Sequence, residues 1–360
     1  MKTLINQRLR MLSASLIAAS CLMATPVLAQ SLKIGIIAPL SGGAAEWGLA
    51  TTEGPRILAN EINEKGGLDV GGTKIDAVAL RADDTIAARV RRETGVGTEA
   101  VTASIFAALA ALSEQLGEAA SIASIGVGIP GIIAPGSGRV IHALNLEVAE
   151  LDLAALLQAE YACPVAVEND VKAATVGAAH LRHGARSMAY LNLGTGVAAG
   201  ILTEGRLWQG AHGAAGEIGH VAIDPHGPEC ACGQRGCIEA LCGGGPVARA
   251  WGRPGQWPIR DVFDAADAGD AHARALREGL VQAAAAAIRI LALTTDVERV
   301  VVGGGLTAIG VRLTDAIIQS LRVEGARSGF LTSLRLGDRV QFLPPESLAA
   351  AIGAALIGQA

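Results

Sequence analysis

One histidine and three cysteines stand close together in the segment GEIGHVAIDPHGPECACGQRGCIEAL. His220, Cys230, Cys232 and Cys237 offer one imidazole and three thiolates, with C-x-C-x4-C spacing and glycines that permit a tight knuckle. This donor set is typical of a tetrahedral structural zinc site. Disulfides are the alternative, although Cys230 and Cys232 are too close in sequence to bridge easily. The spacing therefore favours Zn²⁺.

Three glycine-rich segments could contact phosphates. Two of them, GLDVGGTKIDAVAL and LNLGTGVAAGIL, read as strand, glycine turn, strand, and the third, RVVVGGGLTAIG, reads as a buried strand that ends in glycines before a helix. Glycine has no Cβ, so backbone N–H groups of such turns can approach a phosphate closely. Any one segment could be an ordinary tight turn, but the three together predict a nucleotide site.

The composition limits the class of protein. The chain has 360 residues, 51% of them hydrophobic, and a net charge of −5 with Lys and Arg scattered along it. This length allows a two-lobed enzyme, and the missing basic stripe argues against a nucleic-acid partner. The apolar runs LVQAAAAAIRILALTT and SLAAAIGAALIGQA are broken by Arg289 or too short for a bilayer, which predicts core helices and no stable membrane span.

The N-terminal segment has a different character. Residues 1–29 combine a basic start, an apolar stretch and small residues before a cleavage point after Ala29, as in a secretory signal. Residues 30–66 follow as a βα unit, with a strand from Ile34 to Leu40 and helical spacing through Ile57, Leu58 and Ile62. This unit resembles the start of periplasmic binding proteins for branched-chain amino acids. Cleavage would remove Cys21 and leave an odd number of cysteines, which further disfavours a disulfide framework.

From about Gly67 to Ala360 the chain resembles the ROK family of repressors and sugar kinases. The motifs that carry the resemblance are DVGGTK, GVGIPG, VENDVKAA, LNLGTGVAAG, GAAGEIGH, CACGQRGCIEA and VVVGGG. The resemblance implies an α/β fold of the actin-like, RNase H-like ATPase type, with two lobes and a zinc knuckle at 217–240. The first lobe would span 67–178 and be joined by a C-terminal helix at 346–360, and the second lobe would span 179–345.

The resemblance also implies roles for residues on the nucleotide side. Asp170 would be the general base for transfer of a γ-phosphoryl group from ATP. Asp69 would hold Mg²⁺, and Lys74 would either add positive charge or be an ordinary solvated lysine. The residues expected to surround the phosphates are Gly71, Gly72, Thr73, Gly194, Thr195, Gly196, Gly303, Gly304 and Gly305.

A second set of residues is expected to bind the sugar. By resemblance it comprises Gly131, Asn145, Asn169, Asp170, Glu217, His220 and Glu239. Zinc bound to one nitrogen of His220 would fix the ring and direct the other nitrogen at a sugar hydroxyl. Asn169 could also cap the helix that follows it. The chain departs from the family pattern at Ala134 and Val148, which puts the choice of sugar in doubt.

The resulting prediction is an ATP-dependent kinase of a hexose or N-acetylhexosamine, acting at C6 and self-associating as the family does. A sugar-responsive regulator without its DNA-binding domain is one alternative, and a periplasmic amino-acid-binding protein is another. The predicted signal conflicts with this activity, because a periplasm has little ATP and oxidises thiols. We therefore expect the kinase to work in the cytoplasm.

The junction near residue 66 raises a structural question. The first strand of the kinase region should be central and apolar, yet charged Glu64 and Lys65 precede Leu68. This predicts a shortened strand beneath Asp69 and, for the preceding βα unit, either a peripheral position or poor order.

Overall fold

The computed structural model describes residues 33–36, 38–40, 62–72, 74–117, 120–134, 136–143 and 146–358. The predicted signal, most of the predicted helix of the βα unit, Thr73 and Asn145 lie outside these ranges. Of the helices within them, none combines the length and the apolar character that crossing a bilayer requires.

The first sheet is mixed and has seven strands. Its order is β2-β3-β4-β1-β6-β9, with β5 paired to β4 and β3 paired also to β6. The strands are β1 (Lys33–Ile36), β2 (Ala38–Leu40), β3 (Ile62–Gly72), β4 (Lys74–Leu80), β5 (Ile86–Glu93), β6 (Ala120–Ile129) and β9 (Val165–Asn169). Strands β7 (Ile132–Ile133) and β8 (Val140–His142) form a separate two-stranded sheet.

The second sheet has five strands in the order β12-β11-β10-β13-β14. They are β10 (Met188–Leu193), β11 (Val197–Thr203), β12 (Arg206–Leu207), β13 (Arg299–Gly303) and β14 (Val340–Phe342). Strands β10, β13 and β14 are parallel and almost entirely apolar over β10 and β13, as expected for strands covered on both faces.

Ten α-helices cover the sheets in the described part of the chain. They are α1 (Thr98–Leu116), α2 (Leu153–Tyr161), α3 (Asp170–Leu181), α4 (Ile238–Cys242), α5 (Gly244–Trp251), α6 (Pro258–Asp267), α7 (Ala271–Thr295), α8 (Val311–Gly325), α9 (Gly329–Leu334) and α10 (Ala349–Ile357). The two apolar runs near the C-terminus fall on α7 and α10, and both are mostly buried as predicted.

Helix α10 approaches the first sheet and α3 closely. A Cβ on Gly67 of β3 would collide with the carbonyl oxygen of Ala351, and a Cβ on Gly177 of α3 would collide with that of Ala349. Glycine is therefore required where these backbones touch. Helix α10 thus lies between α3, which begins with Asp170, and the strand that carries Asp69.

Two expectations for the junction are wrong. Strand β3 begins at Ile62 and runs through Glu64 and Lys65, so it is not shortened, and Ile62 lies in a strand and not in a helix. Backbone pairing to β4 and β6 tolerates charged residues here. Ile34 of β1 and Gly66 of β3 both pair with Ala79 and with Ile125, and because one position in a sheet holds one strand, β1 and β3 are alternatives for that position. The segment Lys33–Ile36 thus has the register of the central strand β3.

Candidate active site

The first glycine turn joins β3 and β4 as an antiparallel hairpin. Val70 pairs with Ile75 and Asp69 with Asp76, so Gly71 and Gly72 lie at the end of β3 as the strand–turn–strand pattern predicts. Lys74 opens β4, is half exposed, and places its ammonium 3.9 Å from the carboxylate of Asp76. This long contact is compatible with both predicted roles of Lys74, a positive charge near the phosphates and an ordinary solvated lysine.

The second and third glycine segments lie side by side because β10 pairs in parallel with β13. In the turn between β10 and β11, the N–H of Gly194 donates to the carbonyl of Gly196 (3.0 Å). Gly304 follows β13 with φ +92, and a Cβ there would lie 2.5 Å from both Asn192 Oδ1 and Leu193 O. Two of the predicted phosphate segments are therefore adjacent; Thr195 and Gly305 are exposed there, whereas Gly303 is buried against Tyr190.

Asn169 and Asp170 mark the transition from β9 to α3. The side-chain oxygen of Asn169 accepts hydrogen bonds from the N–H groups of Val171 (3.0 Å) and Lys172 (3.2 Å), which confirms its predicted role as a helix cap. Its amide nitrogen donates to the carbonyl of Gly131 (3.2 Å). Gly131, Asn169 and Asp170 are thus brought together as expected for one binding site.

The two candidate catalytic carboxylates lie near each other and are poorly hydrated. Burial raises the pKa of Asp69 well above its usual value, and the negative charges of Asp76 and Asp170 raise it further. Burial raises the pKa of Asp170 to about 6, with a smaller contribution from Glu217, although a hydrogen bond from the Val171 N–H opposes the shift. A crowded pair of carboxylates of this kind suits a divalent cation, and a carboxylate with a pKa near neutrality suits a general base.

Two arginines donate hydrogen bonds to the carboxylate of Asp76. Arg91 donates from Nε and Nη2 to its two carboxylate oxygens (2.7 and 2.8 Å), and Arg89 adds a contact of 3.0 Å. Asp76 is almost fully buried, so these bonds compensate its charge. They also join β5 to β4, the second strand of the hairpin that carries Asp69.

Glu217 and His220 lie on the short 3₁₀ segment at Ile218–His220, where Glu217 is the cap. Glu217 is an exposed residue. Desolvation raises its pKa, while His220 and Lys172 oppose that shift. Glu239, near the start of α4, accepts a hydrogen bond from the N–H of Val197 (2.8 Å), directly after the second glycine turn. Glu239 therefore links the turn to the segment that carries His220.

The predicted metal ligands form one cluster. The ligand atoms of His220, Cys230, Cys232 and Cys237 all lie within 4.8 Å of one another. Cys232 Sγ is 3.7 Å from Cys237 Sγ, and Cys230 Sγ is 3.8 Å from Nδ1 of His220. A tetrahedral zinc with Zn–S bonds of about 2.3 Å would space its thiolates by about 3.8 Å, so the donors fit this ion. Since Nδ1 faces the sulfurs, Nε2 of His220 is left for another partner.

The cysteines of the described chain are all free, which disfavours the disulfide alternative. Hydrogen bonds from Gln234 lower the pKa of Cys232 to about 6, so this sulfur is readily available as a thiolate. Burial raises the pKa of Cys163 to about 11, and that thiol lies outside the cluster.

The structure also brings to the site residues that the motifs did not single out. Tyr190 of β10 is buried, and its pKa is raised by burial and by the charges of Asp69 and Asp170. Glu168 and Lys172, which flank Asn169 and Asp170, are both buried and contact the loop that follows β12. A lysine in the first turn of a helix was the available signal for Lys172, because a cation is disfavoured there.

The two departures from the family pattern occupy different surroundings. Ala134 donates its N–H to Arg139 O (2.8 Å) and lines a cavity of about 20 Å³ beside Glu168 and Lys172, whereas Val148 is buried in the core of the first lobe. Only Ala134 therefore lies near the candidate sugar side.

Comparison with known proteins identifies similar chains. The profile of the ROK family matches residues 65–357. A glucokinase of Halalkalibacterium halodurans is 33% identical over 70% of this chain and 83% of its own length. An N-acetylmannosamine kinase of Citrobacter koseri is 35% identical over 66% of this chain and 82% of its own. The crystal structure of a ROK family glucokinase from Streptomyces griseus in complex with glucose and AMPPNP superposes with a TM-score of 0.68 at 27% identity, covering 82% of this chain and 99% of that one. These matches confirm the predicted two-lobed α/β fold.

Proposed function

The chain belongs to the ROK family, and we propose on this premise that it transfers the γ-phosphoryl group of ATP to a hydroxyl of a hexose or N-acetylhexosamine. The observation that carries the proposal is the position of Asp170. Its half-buried carboxylate, with a pKa near 6, starts α3 beside Asp69 and within electrostatic reach of Glu217. Asp69 precedes the first glycine turn and Glu217 is proposed to bind the sugar, which supports a role for Asp170 between the two substrates.

Asp170 acts as the general base in this proposal. It takes the proton of the sugar hydroxyl as that oxygen forms a bond to the γ-phosphorus, and the bond from phosphorus to the β,γ-bridging oxygen breaks to release ADP. The glycine turns supply backbone N–H donors to the phosphates. Asp69 would hold Mg²⁺, which neutralises phosphate charge, and the carboxylates around it provide the negative field that such an ion requires.

A second set of residues binds the sugar in this proposal. Gly131, Asn145, Asn169, Glu217, His220 and Glu239 are the proposed contacts. A zinc ion bound by the four-residue cluster would keep Nδ1 of His220 engaged, so that Nε2 meets a sugar hydroxyl in a fixed orientation. In this role zinc orients a side chain and activates no water.

The proposed substrates follow the relatives, which are named for glucose and for N-acetylmannosamine. The C6 hydroxyl is the proposed acceptor. We also propose that the active protein works where ATP is present, in the cytoplasm, and self-association stays a prediction.

Sugar-dependent release of ADP tests the proposal. Purified protein with ATP and Mg²⁺ is offered glucose, N-acetylglucosamine and N-acetylmannosamine, together with the 6-deoxy analogue of each sugar that reacts. We expect ADP release with at least one sugar and none with its 6-deoxy analogue. Binding of a sugar without ADP release would favour the regulator, and binding of branched-chain amino acids would favour the periplasmic binding protein.

A further inference from the structure

Lys172 is a buried cation in an unfavourable place. Its residue exposure is 3%, and it is the one cationic residue among the buried polar side chains of the described chain. It also lies in the first turn of α3, where the helix dipole disfavours positive charge. Burying an ammonium group costs free energy unless specific partners compensate it. The ammonium group of Lys172 therefore needs partners that compensate its burial.

The partners of Lys172 lie on a loop of the other lobe. Its Nζ donates to the carbonyl of Gly213 at 2.5 Å and contacts the carbonyl of Gln209 at 3.5 Å. We name residues 208–217, which follow β12 and end at Glu217, the sugar loop. Lys172 is thus a bridge between the helix that begins with Asp170 and the loop that ends with Glu217.

Glu168 makes a second contact to the same loop. Its Oε2 accepts from Nε2 of Gln209 at 2.6 Å, while its Oε1 accepts from the N–H of Asn169 at 2.8 Å. Glu168 and Lys172 stand on either side of Asn169 and Asp170 in the chain. The loop is therefore hydrogen-bonded to residues on both sides of Asp170, the proposed base.

The surroundings of Lys172 leave little room for a ligand. The cavity bordered by Lys172, Glu168, Gln209 and Gly213 has a volume of about 20 Å³, which is space for about one water molecule. The ammonium group contacts two backbone carbonyls, those of Gly213 and Gln209. Lys172 consequently contacts protein, and any effect on a substrate must pass through the loop.

The ends of the sugar loop are held by β11. The N–H of Trp208 donates to Ile201 O (2.8 Å), and the N–H of Ala199 donates to Gly216 O (2.7 Å). Between these ends, Lys172 and Glu168 contact Gln209 and Gly213 from the α3 side. Loss of the lysine would free the middle of the loop and, with it, the orientation of Glu217.

We propose that Lys172 is a positioning residue for sugar binding, which locks the sugar loop onto α3 so that Glu217 and His220 face the substrate beside Asp170. This inference rests on the proposed function, since it takes the loop to bind the sugar. It assigns no contact between Lys172 and the substrate. The buried ammonium group contacts the loop carbonyls and is assigned no contact with the phosphates of ATP.

The test compares Lys172→Met, which keeps the length of the side chain and removes its donors, with the parent and with Lys172→Arg. Arg186→Met is the matched control, since Arg186 donates to a loop carbonyl, that of Glu204 (3.4 Å), at an exposed position. We expect Lys172→Met to raise the KM for sugar roughly tenfold or more, because a charge-assisted hydrogen bond is lost. The KM for ATP should stay within about threefold, Lys172→Arg should recover part of the loss, and Arg186→Met should resemble the parent.

A second readout does not require catalysis. Trp208 opens the sugar loop and is half exposed, so acrylamide quenching of its fluorescence, taken as the difference from a Trp208→Phe partner, reports the freedom of the loop. Lys172→Met should increase this quenching by about half or more, as for any segment released from its anchors. If the parent phosphorylates no sugar, the proposed function fails, and the quenching alone decides whether Lys172 holds the loop.

Two results would overturn the inference. One is an active parent for which Lys172→Met leaves the KM for sugar and the quenching unchanged. The other is an equal rise in both KM values with a lowered melting temperature and no greater quenching than the parent shows, because that pattern describes a general loss of stability.

Discussion

The proposed nucleotide side and the proposed sugar side of the site differ in composition. The nucleotide side consists of glycine turns, in which Gly304 stands against Asn192 and Leu193 with no room for a Cβ. The sugar side consists of charged and polar side chains, which are held by hydrogen bonds and by the Cys3His cluster. A backbone N–H donor is removed only by substitution with proline, although added atoms can block it, whereas a side chain is removed by any truncating substitution. Substitutions on the two sides should therefore affect different substrates.

Asp170 joins the two sides, and its replacement should have the largest effect. Asp170→Asn keeps the size of the side chain but removes the proton acceptor, so turnover should fall by about 10²–10⁴-fold. The KM for each substrate should change little. Initial rates of ADP release measure this, and turnover within threefold of the parent would refute the role of Asp170.

Removal of a metal ligand should affect the sugar side alone. Cys232→Ala leaves an incomplete ligand set, so the protein should lose zinc and its KM for sugar should rise by about 10–100-fold. The KM for ATP should stay within about threefold. Zinc is measured by elemental analysis of protein purified without chelator, with Cys163→Ser as a control that keeps the metal. A parent without zinc would exclude this part of the account.

A methyl group added on the nucleotide side should raise the KM for ATP and not the KM for sugar. Gly304→Ala places a Cβ against Asn192 and Leu193 at a positive φ, so the glycine surface must shift and the KM for ATP should rise by roughly tenfold. The KM for sugar should not follow. Gly310→Ala is the control, because Gly310 also has a positive φ but has open space around its Cβ position. Equal effects of the two substitutions on ATP would contradict the proposed contact.

The pH dependence of kcat/KM should report the pKa of Asp170, the proposed base. Burial holds the pKa of Asp170 near 6, above the ordinary value for aspartate, and only the deprotonated carboxylate accepts a proton. The value of kcat/KM should therefore be constant above about pH 7 and fall about tenfold per unit well below pH 6. A profile that stays flat down to pH 4.5, in a protein that remains folded, would exclude a base with this pKa.

The junction should show the smallest effect. Strand β1 takes the register of β3 against β4 and β6, yet only β3 continues into the turn that follows Asp69. One position in a sheet holds one strand, so deletion of residues 2–61 should remove a competitor. We expect activity within threefold of the parent and a melting temperature that is equal or a few degrees higher. Loss of activity on deletion would show that the N-terminal unit contributes to the enzyme.

Local sequence patterns predicted much of the fold and of the candidate site. The alternation of apolar strands and glycine turns predicted the β3–β4 and β10–β11 hairpins, and the cysteine spacing predicted a cluster whose members lie within 20 residues of one another. Asn169 could be identified as a cap because a cap bonds to its nearest neighbours. These features depend on short separations along the chain.

Long-range contacts were the part that could not be predicted. Lys172 meets Gly213 across 41 residues, and Glu168 meets Gln209 across the same separation, so neither pattern is visible along the sequence. Likewise, the register of β3 follows from pairing with β4 and β6, and this pairing outweighed the charges of Glu64 and Lys65 that predicted a short strand. Tertiary context decided each of these positions.

The most direct test of the central claim is binding without turnover. Titration calorimetry of Asp170→Asn with the sugar that the parent phosphorylates, and separately with a non-hydrolysable ATP analogue plus Mg²⁺, measures the two sides independently of the chemistry. The account predicts that both ligands bind with affinities within about threefold of the parent while turnover is lost, since Asn169, Glu217 and His220 on one side and the glycine turns on the other are unchanged. If either ligand no longer binds to the folded variant, Asp170 is part of that binding region, and the division of the site into two regions joined by one base is wrong.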